Sequence, residues 1–143
     1  MTTNKNKIQV TKFIPAEEEK VFSALTNPNT IEKWFCPEGM KAKVDEWEPK
    51  VGGVLQISLS DGEDEYVSSG KFLEVIPFHK MVFTYGWAEE EADKIETVVT
   101  IELRNLDDGT DVHLTQEGID LDEAEDLKVG WLSALSNLAK IFN

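Results

Sequence analysis

Tyr85 and Gln116 are the residues of this sequence best suited to fixing a small molecule in place. Each lies on an alternating run, Met81, Phe83, Tyr85 and Trp87 in one case and Val112, Leu114 and Gln116 in the other. Each therefore brings a polar group to the greasy side of a strand. A buried phenol or amide needs a hydrogen-bond partner, and a bound molecule can supply it. Any proton transfer would fall to Tyr85 as a general acid. The other reactive types lead nowhere comparable. His79 sits in a turn, and His113 has the opposite strand parity to Val112 and Leu114 and so faces solvent. Neither has a cysteine or carboxylate at metal-ligand spacing, so no metal or cofactor is expected. Cys36 has no histidine near it in sequence to activate the thiol. Gly52-Gly53 is followed by neither Lys-Ser/Thr nor a helix, which makes it a hairpin and not a phosphate cradle. No Gly-x-Ser-x-Gly elbow or dinucleotide fingerprint occurs, so no catalytic set is assigned.

The elements that must position these residues follow from periodicity. Ile8 to Phe13 alternates as a first strand. Pro15 then marks a helix start, with Glu17, Glu18 and Glu19 in its first turn at the positive end of the dipole. Asn27-Pro28 caps and opens a second short helix through Trp34, which ends in the loop Cys36-Pro37-Glu38-Gly39. Six strands follow. They run through Ala42 to Trp47, Val54 to Leu59, Tyr66 to Ile76 with Gly70 as a bend or bulge, Met81 to Trp87, Thr97 to Leu103, and Val112 to Gln116. The acidic loop Glu89 to Asp93 separates the last two hairpins. A long final helix opens at Asp122, with Glu125 in the capping-box place. Its Leu127, Trp131, Leu135, Leu138 and Phe142 fall on one stripe.

Strands joined by tight turns and flanked by helices indicate an α+β domain with an antiparallel sheet, one face of which must meet that stripe. A twisted sheet curls round a straight helix and does not mate with it everywhere, so a gap between them is expected. The residues pointing into it are Leu55, Ile57, Phe83, Tyr85, Trp87, Val99, Ile101, Leu114 and Gln116, with Trp131 and Leu135 from above. Trp34 and Phe35, beside the loop at Cys36, are either the rim of that pocket or core anchors.

A chain of 143 residues is most simply one domain, residues 1–143. Its 28 Asp plus Glu against 14 Lys plus Arg give a formal charge of -14. Such a surface repels phosphate backbones and anionic lipid and favours, if any macromolecule, a basic protein partner. The single cysteine rules out an internal disulfide, and the polar stretch Met1 to Lys7 contains no signal-peptide core. A cytoplasmic location without membrane insertion is the expectation.

Phe13-Ile14-Pro15-Ala16, Trp34-Phe35, Gly52-Gly53, Leu114-Thr115-Gln116-Glu117-Gly118 and Gly130-Trp131, in this order and spacing, resemble the family named for the activator of the heat-shock protein 90 ATPase. That family lies within the START and SRPBCC helix-grip superfamily, and the resemblance spans Ile8 to Phe142. It implies a curved seven-stranded antiparallel sheet gripping the C-terminal helix, with two short helices after strand one and a cavity between sheet and helix. The superfamily includes carriers, cyclases and co-chaperones, so the resemblance leaves three functions open. They are non-catalytic binding of a hydrophobic small molecule or lipid, a chaperone-associated protein-binding module, and a cyclase- or hydrolase-like enzyme. Gln116 stands where relatives often carry His, which removes an acid–base group.

Overall fold

The alternating runs become seven strands in a computed structural model that describes residues 6–35, 39–87 and 97–142. The strands are β1 (Lys7–Ile14), β2 (Lys41–Trp47), β3 (Val54–Ser60), β4 (Glu65–Ile76), β5 (Lys80–Trp87), β6 (Thr97–Leu106) and β7 (Gly109–Glu117). Between β1 and β2 lie α1 (Glu18–Thr26) and α2 (Pro28–Trp34), and α3 (Ala124–Ile141) closes the chain. All seven strands form one antiparallel sheet in the order β1-β7-β6-β5-β4-β3-β2. The chain thus lays down one edge, crosses through α1 and α2 to the other edge, and zigzags back until β7 pairs with β1. This is the α+β helix-grip architecture expected from the sequence.

Register puts the apolar residues in rows. Ile8, Gln116, Val99, Phe83 and Phe72 are successive partners across β1, β7, β6, β5 and β4. Val10, Leu114, Ile101 and Met81 make the next row. Every apolar member of both rows is buried, so this face is the core side. Over it lies α3, whose Trp131, Ala134, Leu135, Leu138 and Ala139 are buried. Leu127 and Phe142, the ends of the predicted stripe, are only half-buried. Burying one such leucine fully is worth roughly 1.5–3 kcal/mol, so the stripe fixes the helix on the sheet.

Two irregularities bend the sheet. At β2 the register with β3 shifts between Val44 and Glu46, and the Asp45 carboxylate at that point accepts a hydrogen bond from the Ser58 hydroxyl. At β4 a Cβ on Gly70 would run into the carbonyl oxygen of Thr84, so the two strands approach more closely there than any other residue allows. Lys71 N–H donates to the Thr84 hydroxyl at 2.9 Å, and the register shifts again between Phe72 and Glu74. Bulges of this kind increase twist.

The helices are held by caps and indoles. Asn27 accepts from Asn29 N–H at 2.9 Å with Pro28 opening α2, as its sequence indicates. The Trp34 and Trp47 indole N–H groups donate to the carbonyls of Ala24 and Thr26, groups that the end of α1 leaves without helical partners. Two starts differ from expectation. The first helix begins at Glu18, and Glu17 makes no side-chain cap. At α3 the capping carboxylate is Asp120, which accepts from Asp122 N–H at 3.1 Å and opens a 3₁₀ turn (Leu121–Glu123) before the helix. That turn displaces the α-helical start past Asp122, and no capping-box bond forms.

Candidate functional site

At one end of the sandwich the core stops being purely apolar. Tyr85, paired in register with Thr97, sits where β5 and β6 run out toward the acidic loop. Gln116 pairs with Val99, two residues from Thr97 and on the same face of the sheet. Three hydrogen bonds then run in sequence. The Trp131 indole N–H donates to Gln116 Oε1 at 2.7 Å, Gln116 Nε2 donates to Thr97 Oγ1 at 2.9 Å, and the Thr97 hydroxyl donates to the Tyr85 carbonyl at 2.6 Å. Together they join α3 to β7, β6 and β5.

Aromatic rings fill the space beside this chain of bonds. Phe35 meets Trp131 at a centroid distance of 5.4 Å, Tyr85 at 5.7 Å and Trp34 at 5.2 Å, each edge-on. Tyr85 lies 6.0 Å from Trp131 and 6.2 Å from Phe83. These separations are those of favourable aromatic pairs, each worth about 0.5–1.5 kcal/mol beyond burial. Desolvation pushes the Tyr85 phenol up to about 12, with the Ser68 hydroxyl beside it pulling weakly the other way. Ser68 itself is buried and donates to the Ile57 carbonyl.

The structure brings Phe35, Phe83, Tyr85, Val99, Gln116 and Trp131 together, and Leu55, Ile57, Ile101, Leu114 and Leu135, like Phe83 and Val99, are fully buried in the core. Trp34 is also fully buried, and its indole is spent on Ala24, which makes it an anchor and not a rim. The Trp87 side chain, Cys36 and the loop Glu89 to Asp93 lie outside the described residues. One expectation changes. Gln116 does not wait for a ligand, because both ends of its amide are already engaged by protein groups. Thr97 and Ser68 are polar members that the sequence reading passed over. Both have the inward parity of their apolar neighbours Val99 and Phe72, and that alternation was the available signal.

The inner face is sealed unevenly. Toward α1 Ile14, Leu25, Met81 and Val112 are fully buried, while Val75, Ile141 and Phe142 are half-buried. Toward the aromatic end Ala42, Val44, Tyr85, Thr97 and Leu127 are only half-buried, although Ala42, Val44, Tyr85 and Leu127 pack on the core.

His113 lies on the outer face, its Nδ1 2.7 Å from the Thr11 hydroxyl. Glu102 is its register partner on β6, but no His113–Glu102 ion pair occurs among the described residues. Among the described residues no cluster of His, Cys, Asp and Glu is placed to hold a metal ion, and no helix is long and apolar enough to cross a membrane.

Comparison with known proteins adds three findings. The family model for Activator of Hsp90 ATPase homolog 1-like protein matches residues 15–143. Among solved structures, a protein from Chromobacterium violaceum superposes with a TM-score of 0.88 at 28% identity, covering 96% of each chain. Proteins from Mesorhizobium loti (TM-score 0.76, 27% identity, 95% of this chain and 96% of that one) and Staphylococcus epidermidis (0.85, 22%, 99% and 92%) share the fold. No curated protein matches the chain.

Proposed function

The chain belongs to the family of activator of Hsp90 ATPase homolog 1-like proteins, and on that premise we propose that it binds a hydrophobic small molecule, without transforming it, at the aromatic end of the space between sheet and α3. The fold is consistent with a ligand-binding domain. The observation that carries the finer reading is the graded burial of the inner face. Ala42, Val44, Tyr85, Thr97 and Leu127 keep partial access there, whereas Ile14, Leu25, Met81 and Val112 toward α1 have none. An apolar wall with a few placed polar groups is the usual character of a small-molecule site.

The chemistry of the wall narrows the ligand. Its described members are aliphatic, aromatic, hydroxyl or amide side chains. Burying a carboxylate or ammonium there would cost far more than burying a neutral molecule, so the ligand is uncharged or keeps its charged end at the mouth. The raised Tyr85 phenol supports binding over catalysis. A group held at about 12 stays protonated at neutral pH and is a poor proton shuttle, but it remains a hydrogen-bond donor.

The test is thermal unfolding of the purified protein against neutral aromatics, polycyclic phenols, long-chain alcohols and their carboxylate counterparts. A ligand at 100 times its dissociation constant adds about 2.7 kcal/mol of stability. Stabilisation by neutral members, lost in Tyr85→Ala, is the expected result. No stabilisation by any compound would overturn the reading.

A further inference from the structure

A concavity lies at the opposite end of the sheet from the aromatic site. It is a groove of about 830 Å³ between the stretch that enters α1, the β4–β5 turn, the β6–β7 turn and Phe142, which follows α3. One bank carries Glu17, Glu18 and Glu19, and the other carries Asp107 and Asp108. A single cation, Lys20, lines the groove against these five carboxylates. Its apolar surface comes from Phe78 and Phe142 together with Pro15, Ala16 and Leu106. Phe78 is 42% exposed and packs in a T-shaped pair with Phe22 at 6.0 Å, so an exposed aromatic ring is held in place at the groove.

We propose that this groove is the docking site for a lysine- or arginine-bearing peptide segment of a partner protein. Three features select that occupant. The groove is too large for an ion, and among the described residues no three carboxylates converge as a metal would require. Its negative charges stand on two separate banks, a spacing that suits a chain presenting several cations and not a single charge. Phe78 and Phe142 provide apolar and π-face contact, which matches the aliphatic stems and heads of Lys and Arg and gives nothing to a mineral ion. The surface as a whole, at -14, steers such a segment toward the molecule.

The test is fluorescence anisotropy of a fluorescein-labelled hexalysine peptide with the full chain, at low and at moderate salt. The expected result is salt-sensitive binding that weakens at least tenfold in D107K/D108K and several-fold in Phe78→Asn. Asparagine tolerates the left-handed backbone at that position, so the second variant keeps the turn. The control is E63K/D64K, an equal charge reversal in the β3–β4 turn, away from the groove. Equal weakening by the control would show a general polyanion effect and overturn the site. Undetectable binding at low salt would overturn it too. So would full competition by spermine at equal charge, because that assigns the groove to small polyamines.

Discussion

The indole N–H of Trp131 meets the side-chain oxygen of Gln116 at 2.7 Å, and this bond is where the C-terminal helix is fastened to the last strand. Both partners are buried, so neither can turn to water when the other is removed. Gln116→Leu should therefore destabilise the protein by about 1–3 kcal/mol, since it leaves the indole N–H and the Thr97 hydroxyl short of partners. Adding Trp131→Phe removes the orphaned donor and should recover part of that loss. Urea unfolding of the two singles and the double closes the cycle. Strict additivity would mean that the bond contributes nothing.

Tyr85 gives a pH signature. Its folded value of about 12 lies above the ordinary 10.0, so folding favours the neutral phenol. The associated stability is fully present below the ordinary value and is lost as pH rises through the folded one. Its size is on the order of 2 kcal/mol. Stability measured by urea between pH 8 and 12 should fall more steeply in the native protein than in Tyr85→Phe. Parallel curves would show that the phenol is not desolvated.

Gly70 is predicted to tolerate no side chain. An alanine methyl would meet the backbone carbonyl of Thr84 on the neighbouring strand, an atom that cannot step aside without moving β5. Gly70→Ala should cost about 1–3 kcal/mol or more, visible as a lower melting temperature. Gly62→Ala tests a different physics, because no atom lies within 4 Å of its added methyl and only the positive φ of 99° is strained. Its loss should be smaller, close to the 1–2 kcal/mol of left-handed backbone.

The sequence carried the architecture because its signals are local. Alternation in β3, β5 and β6, the Asn27-Pro28 helix start and the Leu127 to Phe142 stripe each occupy a single element, and the structure contains all of them. The polar satisfaction of the site was not legible in the same way. Gln116 reaches Thr97 and Trp131, 19 and 15 residues away, and those contacts exist only once the β6–β7 hairpin register is fixed by Asp107-Asp108 and α3 is docked. Asp120 capped the helix in place of Asp122 because a 3₁₀ turn intervened, a shift of two residues that composition cannot distinguish. Phe78 is the third case. It occupies a turn position at φ 70°, after Pro77, where Gly or Asn is the normal choice, and its ring packs against Phe22, a contact that local sequence does not reveal.

The central claim, that a hydrophobic ligand enters between sheet and helix at the aromatic end, is tested most directly by ¹⁵N–¹H NMR during titration with the compound that stabilises the protein most. The account predicts that the Trp131 indole N–H and the Gln116 side-chain amide shift first and furthest, with the Thr97 backbone amide following. Shifts confined to the outer sheet face around His113, with the Trp131 indole unmoved at saturation, would contradict it.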